Sequence, residues 1–541
     1  MSKPGSDVTL RQLAPWMGVM LLLISLPYLL VWLQAPPGQT FMAGLINPDD
    51  VSVYLAAMRQ GSEGAWLFQF SFSPEPIPPR LTYPLYLLMG RFVGLIHGSF
   101  TLWFHLFRLL ASLFTLLAMW WWVRLALPGR ARWQQSAWLL IAFGGGLGWL
   151  VAILLRLDFK QLPDLGRAEW GLLQPLLDAP HFALGMGLEV LLFVCVGQMV
   201  RTRPGWPWAV GGAFVALMLG LTYPYLIPVA GLVIGLYMLS LALTGRAVPW
   251  RAWGYGAVVL APLLPLFYYF GIWARQDPNW EFTHITNNLI RPPGLPALAV
   301  TLGLLGVMGV IGLAQWRQSG QDWLVPIWAV ANGLALYVPV PFAGRFLLGL
   351  VVPAGTLAAY GLEAWLLPRL ESTRFFQRFS RLTPTPYASL RRVFLLLTIP
   401  STLMVLVLLI QSPAVRPDYP LFLPDADVAA AQWLAETAAP DSLILAHYPV
   451  GNYFPRLAGS RVFVGQPYLT LDLEGKVALV TQFWDEATPA GWRDAFIQEW
   501  GIDYVYYGSQ EQAISRGRVV PPGDIVYQAN GVTIYQIVGQ E

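Results

Sequence analysis

Apolar runs of membrane-crossing length recur along this chain, separated by short polar joints, and that rhythm predicts an α-helical polytopic membrane protein. The first run, Pro15 to Leu33, follows a short head carrying Lys3 and Arg11 and shows no small-residue cleavage site, so it is read as an uncleaved span. Others follow at Leu102 to Leu127, Ala137 to Leu155, Phe182 to Val200, Pro207 to Leu221, Leu226 to Leu243, Ala252 to Trp273, Ala297 to Ala314, Trp323 to Val340, Phe346 to Leu367 and Val393 to Ile410, which with the first makes eleven expected spans. Around Thr222-Tyr223-Pro224-Tyr225 two short spans and one broken hairpin fit the pattern equally. Tyr83 to His97 is apolar but short and interrupted by Arg91. A crossing needs about 20 residues, so this stretch is expected to lie along the membrane surface.

Charge then orders the joints. With the N-terminus in the cytoplasm, Arg124, Arg130 and Arg132, then Arg201 and Arg203, Arg246 and Arg251, Arg317, and the group from Arg369 to Arg392 all fall on the cytoplasmic side. Arg156, Lys160 and Arg167 are the main exceptions. The opposite, outer joints hold most of the acids: Asp49, Asp50, Glu63 and Glu75; Asp158, Asp164, Glu169 and Asp178; Asp277 and Glu281. Any chemistry is therefore expected at the outer face. The predicted division is a membrane domain over 1–411, with an outer loop over 35–101 that contains surface helices, and a soluble α/β extracytoplasmic domain over 412–541.

That tail, Gln411 to Glu541, holds fifteen acidic and seven basic residues, a net of about −8 by subtraction. Its pattern predicts a helix capped by Asp425 and running to Thr437, strands at Leu443 to Tyr448 and Val462 to Gly465, helices at Gly475 to Trp484 and Ala490 to Trp500, and a strand at Ile502 to Tyr507. Val526-Tyr527 and Val532 to Ile537 flank Asn530-Gly531, a hairpin signal.

Composition narrows the function classes. The chain is 56% hydrophobic and 12% charged, about half the charged share of soluble domains. A net charge of +3 spread by sidedness leaves no basic patch for nucleic acid. Cys195, alone of its kind, excludes an intrachain disulfide and reads as a small core residue. Gly144-Gly145-Gly146-Leu147-Gly148 sits in an apolar run with no strand before it and no lysine after it, so it is read as a close-packing element and not as a phosphate loop. Asp158, Asp164 and Asp178 share a loop, but their spacing fits no calcium loop. Trp120, Trp121 and Trp122 close a span and read as part of an aromatic belt.

The most informative stretch is Asn47-Pro48-Asp49-Asp50, which opens the first polar joint and runs into Val51-Ser52-Val53-Tyr54. Ionised carboxylates beside hydrocarbon are retained where water, a cation, a donor or a substrate meets them. Helix capping explains the same residues equally well, since aspartate is a favoured N-cap.

A span, a long outer loop opening with Asp-x-x-x-Tyr (Asp50 to Tyr54), a surface helix beginning Tyr83-Pro84-Leu85-Tyr86, an Arg-ended second span, Asp178 just ahead of the fourth span and an outer C-terminal domain together resemble the GT-C superfamily of integral membrane glycosyltransferases. The resemblance extends over most of the chain on short motifs. It implies transfer of a sugar from a polyprenyl-phosphate-linked donor to an acceptor at the outer membrane face, among membrane lipids. It implies a catalytic role for Asp50, as acceptor-side base or orienter, ahead of Asp49. Asp178 is its implied partner, with a divalent cation such as magnesium or manganese held between Asp50 and Asp178, although Asp178 reads equally as a cap of the fourth span. His181 is a phosphate ligand or acid in this reading, and an interfacial helix-start residue in the plain one. Arg345 is the expected clamp for the donor phosphate, because its planar fork matches phosphate oxygens, with Arg80 and Arg291 as second choices. Leu81 and Thr82 stand where lipid A-modifying relatives have Glu-Lys, which leaves that phosphate contact to Arg80. Ala446 to Gly451 replaces the Trp-Trp-Asp-Tyr-Gly of oligosaccharyltransferases, which argues against sequon-directed transfer. The absence of a separated Asp-x-Asp in the second outer loop counts against a metal requirement. The alternative is a non-catalytic GT-C-like scaffold subunit binding a partner through its outer domain. A transporter fits less well, because ionisable residues are nearly absent from span centres and no paired halves are detected.

Overall fold

A computed structural model describes residues 5–245, 249–286, 289–415 and 417–537; Lys3, Arg246 and Asn288 lie outside them. Helices dominate, as the apolar rhythm predicts. Seven helices among the described residues are long and apolar enough to cross a membrane, and nine if each of two bent pairs is one span. The protein is thus a multi-pass membrane protein with a small C-terminal sheet. The eleven spans are not reached, because Trp206–Thr222 and Leu324–Ala335 belong to the shorter apolar helices. At 1.5 Å per residue the latter is about 18 Å long, short of a bilayer's hydrocarbon thickness. Pro84–Leu95, the expected surface helix, is in the same short class.

Packing divides the chain into two compact units. One comprises Met1–Pro27, Leu106–Trp273 and Leu289–Leu409; the other comprises Tyr28–His105, Ala274–Asn288 and Ile410–Glu541. Helices α1 (Leu10–Leu33) and α4 (Phe100–Ala126) pass from one to the other, while α2 (Pro48–Ser62) and α3 (Pro84–Leu95) lie in the second.

The first unit is built on close helix packing. Its third apolar run is two helices, α5 (Ala131–Phe143) and α6 (Gly148–Leu155), broken at the glycines between them. Helix α7 (Pro180–Arg201) is mostly buried and carries Cys195, 4% exposed. Helices α8 (Leu295–Trp316) and α9 (Val351–Gly361) approach through glycines: a Cβ at Gly312 would stand 1.9 Å from the Leu357 carbonyl oxygen, and one at Gly361 would stand 2.3 Å from that of Met308. Trp122 corrects the aromatic-belt reading. It is fully buried, stacks edge-on against Trp328 and donates Nε1–H to Thr356, whereas Trp121 is exposed.

The second unit joins chain segments nearly 400 residues apart. Strand β1 (Gln39–Phe41) pairs antiparallel with β2 (Phe422–Pro424). After β2 comes helix α10 (Asp425–Thr437), whose N-cap is Pro424, so Asp425 is inside the helix and accepts instead from Thr40. Strands β3 (Leu443–Leu445), β4 (Arg461–Val462), β5 (Tyr504–Tyr507), β6 (Asp524–Ala529) and β7 (Val532–Gln536) form a sheet in the order β4-β3-β5-β7-β6, parallel across β4, β3 and β5 and antiparallel beyond. Helices α11 (Leu473–Trp484) and α12 (Ala490–Trp500) match the predicted pattern. Asn530 and Gly531 both have positive φ, the requirement of a two-residue hairpin turn that follows the strands' twist. The two strands before them end sooner than expected. After Leu445 the chain turns into a short helix at Tyr448–Gly451, which brings polar side chains toward the first outer loop.

Helix α13 (Ser509–Ser515) begins with a buried acid: Glu511 accepts from the backbone N–H of Gly508 and of His447. Burial pushes its carboxyl up to about 7 despite those donors. A carboxyl raised in the folded state contributes most below its unfolded pKa and loses that contribution as pH rises through about 7. Glu511→Gln therefore flattens the fall in thermal unfolding midpoint between about pH 4.5 and 7. In the other unit, Gly312→Leu costs about 1–3 kcal/mol by overpacking, whereas Gly235→Leu, with nothing within 4 Å of its Cβ position, leaves the midpoint nearly unchanged; thermal unfolding in detergent measures both.

Candidate functional site

Proline at the first helical position starts α2, since it has no N–H to leave unpaired there, and places Asp49 and Asp50 in the first turn. The N-cap is Asn47, so neither aspartate caps the helix. Their side chains are held by the C-terminal segment of the same unit. Tyr419 donates its hydroxyl to Asp49 Oδ1, Asn452 Nδ2 approaches the same oxygen at 3.4 Å, and Gln466 donates Nε2–H to Asp50 Oδ1 at 2.8 Å. Gln466 is buried, and its own Oε1 accepts from the N–H groups of Tyr468 and Leu469 at 2.7 and 2.9 Å. With the oxygen committed to two backbone donors, the amide nitrogen must face Asp50. The hydroxyls of Tyr419 and Tyr448 are 2.9 Å apart. Burial, and then the Asp49 charge, push the Tyr419 hydroxyl well above its ordinary value, and burial raises Tyr448 to about 12. Both phenols stay protonated near neutrality, so Tyr419 acts as a donor to Asp49. Tyr419, Asn452 and Gln466 thus meet the two carboxylates as neutral donors.

Tyr54, four residues past Asp50, is buried and stacks on Tyr86 of α3 with ring centroids 4.5 Å apart. The Asp-x-x-x-Tyr spacing therefore joins the carboxylate turn to the surface helix. Nearby in the chain, Arg80 pairs with Asp277. Burial raises the Asp277 carboxyl, but the Arg80 hydrogen bond and the backbone N–H groups of Trp280 and Asn279 outweigh it and leave it lowered. Lys476, 3% exposed at its side chain, bonds to Glu75 at 2.5 Å, to Ser73 at 3.1 Å and to the Leu471 carbonyl at 2.6 Å, tying the outer loop to the tail.

The first unit holds the other expected residues. Arg345 pairs with Glu169 at 3.0 Å and lies 4.8 Å over the ring of Tyr225. It belongs to a tight turn, Ala343–Leu347, anchored by Asn332, whose Nδ2 donates to the Phe346 carbonyl. Gly344 donates its N–H to the Ile290 carbonyl, which puts the backbone of Arg291 beside that turn while its side chain is exposed. His181 lies in the first turn of α7, with its ring stacked on Tyr223 and against Phe182. Asp178 is 2% exposed and stands one residue ahead of the α7 N-cap, Ala179, so it does not cap that helix. Asp178, His181 and Arg345 thus share one compact unit; Asp49, Asp50 and Arg80 share the other. Among the described residues, no three His, Cys, Asp or Glu side chains converge in a way that fits a metal ion, so no step is assigned to a divalent cation.

Two groups escaped the sequence reading. Arg108, 1% exposed within α4, donates Nη1–H to the carbonyls of Ile24 and Leu176, and so fixes the backbone two residues before Asp178. A lone arginine inside an apolar run was its signal. Tyr419, Asn452 and Gln466 had none, because only tertiary folding brings them to the carboxylate turn. Tyr419→Phe removes a donor to a half-buried carboxylate and lowers stability by about 1–3 kcal/mol, read as a lower thermal unfolding midpoint of the full chain.

No family model and no curated protein matches the sequence. Solved structures do match in fold. The Archaeoglobus fulgidus oligosaccharyltransferase AglB, in complex with an inhibitory peptide and a dolichol-phosphate, aligns over 91% of this chain and 69% of its own, at 12% identity and TM-score 0.54. ArnT from Cupriavidus metallidurans, bound to undecaprenyl phosphate, aligns over 97% and 98%, at 14% identity and TM-score 0.50. The arabinofuranosyltransferase AftD from Mycobacteria aligns over 99% of this chain and 40% of its own, at 14% identity and TM-score 0.58. All three are GT-C membrane glycosyltransferases, and the fold of this chain, from its helices to its C-terminal domain, is the GT-C fold.

Proposed function

We propose that the chain is a membrane glycosyltransferase that takes a sugar from a polyprenyl-phosphate-linked donor and passes it to an acceptor at the outer face of the membrane. The observation that carries this reading is the Asp49–Asp50 turn, held by Tyr419 and Gln466 on a GT-C fold. The polyprenyl phosphates bound by AglB and ArnT support the donor class.

In this reading Asp50 is the catalytic base. The acceptor's hydroxyl oxygen attacks the anomeric carbon, its proton passes to Asp50, and the bond from that carbon to the phosphate oxygen breaks, leaving the polyprenyl phosphate. Gln466 positions the base through Oδ1, while Asp49, tied to Tyr419, orients the turn. Arg345 receives the donor phosphate. At rest its charge is balanced by Glu169, so binding exchanges a carboxylate for a phosphate without leaving a buried cation unpaired. His181 and Asp178 line the same unit and contact the donor; Arg80, paired with Asp277, is a second cation for it. A zinc and sulfate complex of the A. fulgidus enzyme is known, but this chain's described residues offer no comparable metal cluster and the steps above use none.

Proteoliposomes holding the full chain and a panel of labelled polyprenyl-phosphate sugars test the assignment. Asp50→Asn is expected to lower transfer by roughly 10²–10⁴-fold, the usual contribution of a general base. Unchanged turnover removes Asp50 from the chemistry. Arg345→Ala is expected to raise KM for the lipid donor more than it lowers kcat, with Arg345→Lys recovering part of the loss because the charge returns without the fork.

A further inference from the structure

The glycine break between α5 and α6 surrounds an acid that the proposed reaction does not use. Asp164 is 3% exposed, and among the described residues no cation lies within ion-pair distance of it. Its Oδ2 accepts from the Gly148 N–H at 2.9 Å and the Ser401 hydroxyl at 2.7 Å, Oδ1 has a 3.5 Å contact from Thr301, and the residue's own N–H adds a further donor to the carboxyl. The glycines are needed for this fit: a Cβ at Gly148 would stand 2.2 Å from Oδ1, and one at Gly146 would stand 2.7 Å from Oδ2. Burial pushes the Asp164 carboxyl above its ordinary value against those donors, which marks a charge short of compensation.

A second, independent group points the same way. Gln174 is 4% exposed; its Nε2 donates to the Asp164 carbonyl at 3.1 Å, but its buried Oε1 accepts nothing among the described residues. Gln174, Asp164, Gly144, Gly145 and Thr402 line a common cavity of about 10 Å³, the threshold for a single water-sized guest. Thr402 spends its proton on the Phe143 carbonyl at 3.0 Å, so its oxygen also faces outward as an acceptor only. The lining therefore supplies side-chain oxygen lone pairs and one formal negative charge.

We propose that this pocket is a monovalent-cation site formed by the Asp164 carboxylate, Gln174 Oε1 and the Thr402 hydroxyl oxygen, with sodium as the cation to be tested. The ion neutralises the buried carboxylate and locks the outer loop of the first unit onto the broken span. One carboxylate is too few for a divalent cation, which would leave net positive charge in a dry site.

The test uses the purified full chain in detergent, with unfolding followed in sodium, potassium or choline chloride at equal ionic strength. The expected result is a saturable, sodium-selective rise in the unfolding midpoint, equivalent to roughly an elevenfold shift in the folding equilibrium at ten times the dissociation constant. Gln174→Leu is expected to abolish the sodium dependence, as is Asp164→Asn. Because those variants alter packing, ²³Na line broadening by the unmodified protein, reversed by lithium but not by choline, provides a second readout. Equal midpoints in all three salts with no broadening would mean that the pocket holds water. Stabilisation by acid alone would mean that a proton neutralises Asp164. Either result overturns the proposal.

Discussion

In a chain this apolar a buried charge without a partner is costly, because moving an ion out of water costs several kcal/mol even after relaxation. That constraint accounts for most of the polar architecture. Arg391 grips Glu363 through two nitrogens at 2.6 and 2.7 Å, Arg345 holds Glu169, Arg80 holds Asp277, and Lys476 holds Glu75. Other carboxylates are met by neutral donors: Asp49 by Tyr419, Asp50 by Gln466, Asp164 by Ser401 and Gly148.

The two kinds of solution suit two kinds of task. An arginine paired with glutamate is a charge held ready, and in the proposed reaction an incoming phosphate takes the carboxylate's place. A carboxylate held by an amide or a phenol is fixed in direction, which suits the proton-accepting role proposed for Asp50. These arrangements lie in separate compact units.

Much of this was readable in advance wherever the signal was local. Helix α12 occupies the range its periodicity predicts, and Asn530-Gly531 makes the hairpin its φ preferences demand. Asp-x-x-x-Tyr was visible as spacing, and its use, a tyrosine stacked on the surface helix, follows from one turn of α2. Non-local partners were not readable. Tyr419 and Gln466 look like ordinary tail residues until folding carries them to a turn some 370 and 416 positions earlier. Caps were misjudged for a related reason. At Asp425 the preceding Pro424 takes the cap position, and ahead of Asp49 and Asp50 Asn47 takes it, so each aspartate accepts from a tertiary donor instead. Two expected spans, at Pro207 to Leu221 and Trp323 to Val340, fall on the shorter apolar helices Trp206–Thr222 and Leu324–Ala335, because hydropathy does not measure helix length. The glycine run shows both sides: close packing was evident from sequence, but the carboxylate filling the space left by missing Cβ atoms was not.

The account stands on Arg345 exchanging its glutamate for a lipid phosphate. A density map of the full chain reconstituted with undecaprenyl phosphate tests this directly. The expected result is phosphate density within hydrogen-bond distance of the Arg345 guanidinium, with Glu169 withdrawn from it. A map in which the phosphate binds elsewhere while the pair at 3.0 Å stays closed would contradict it.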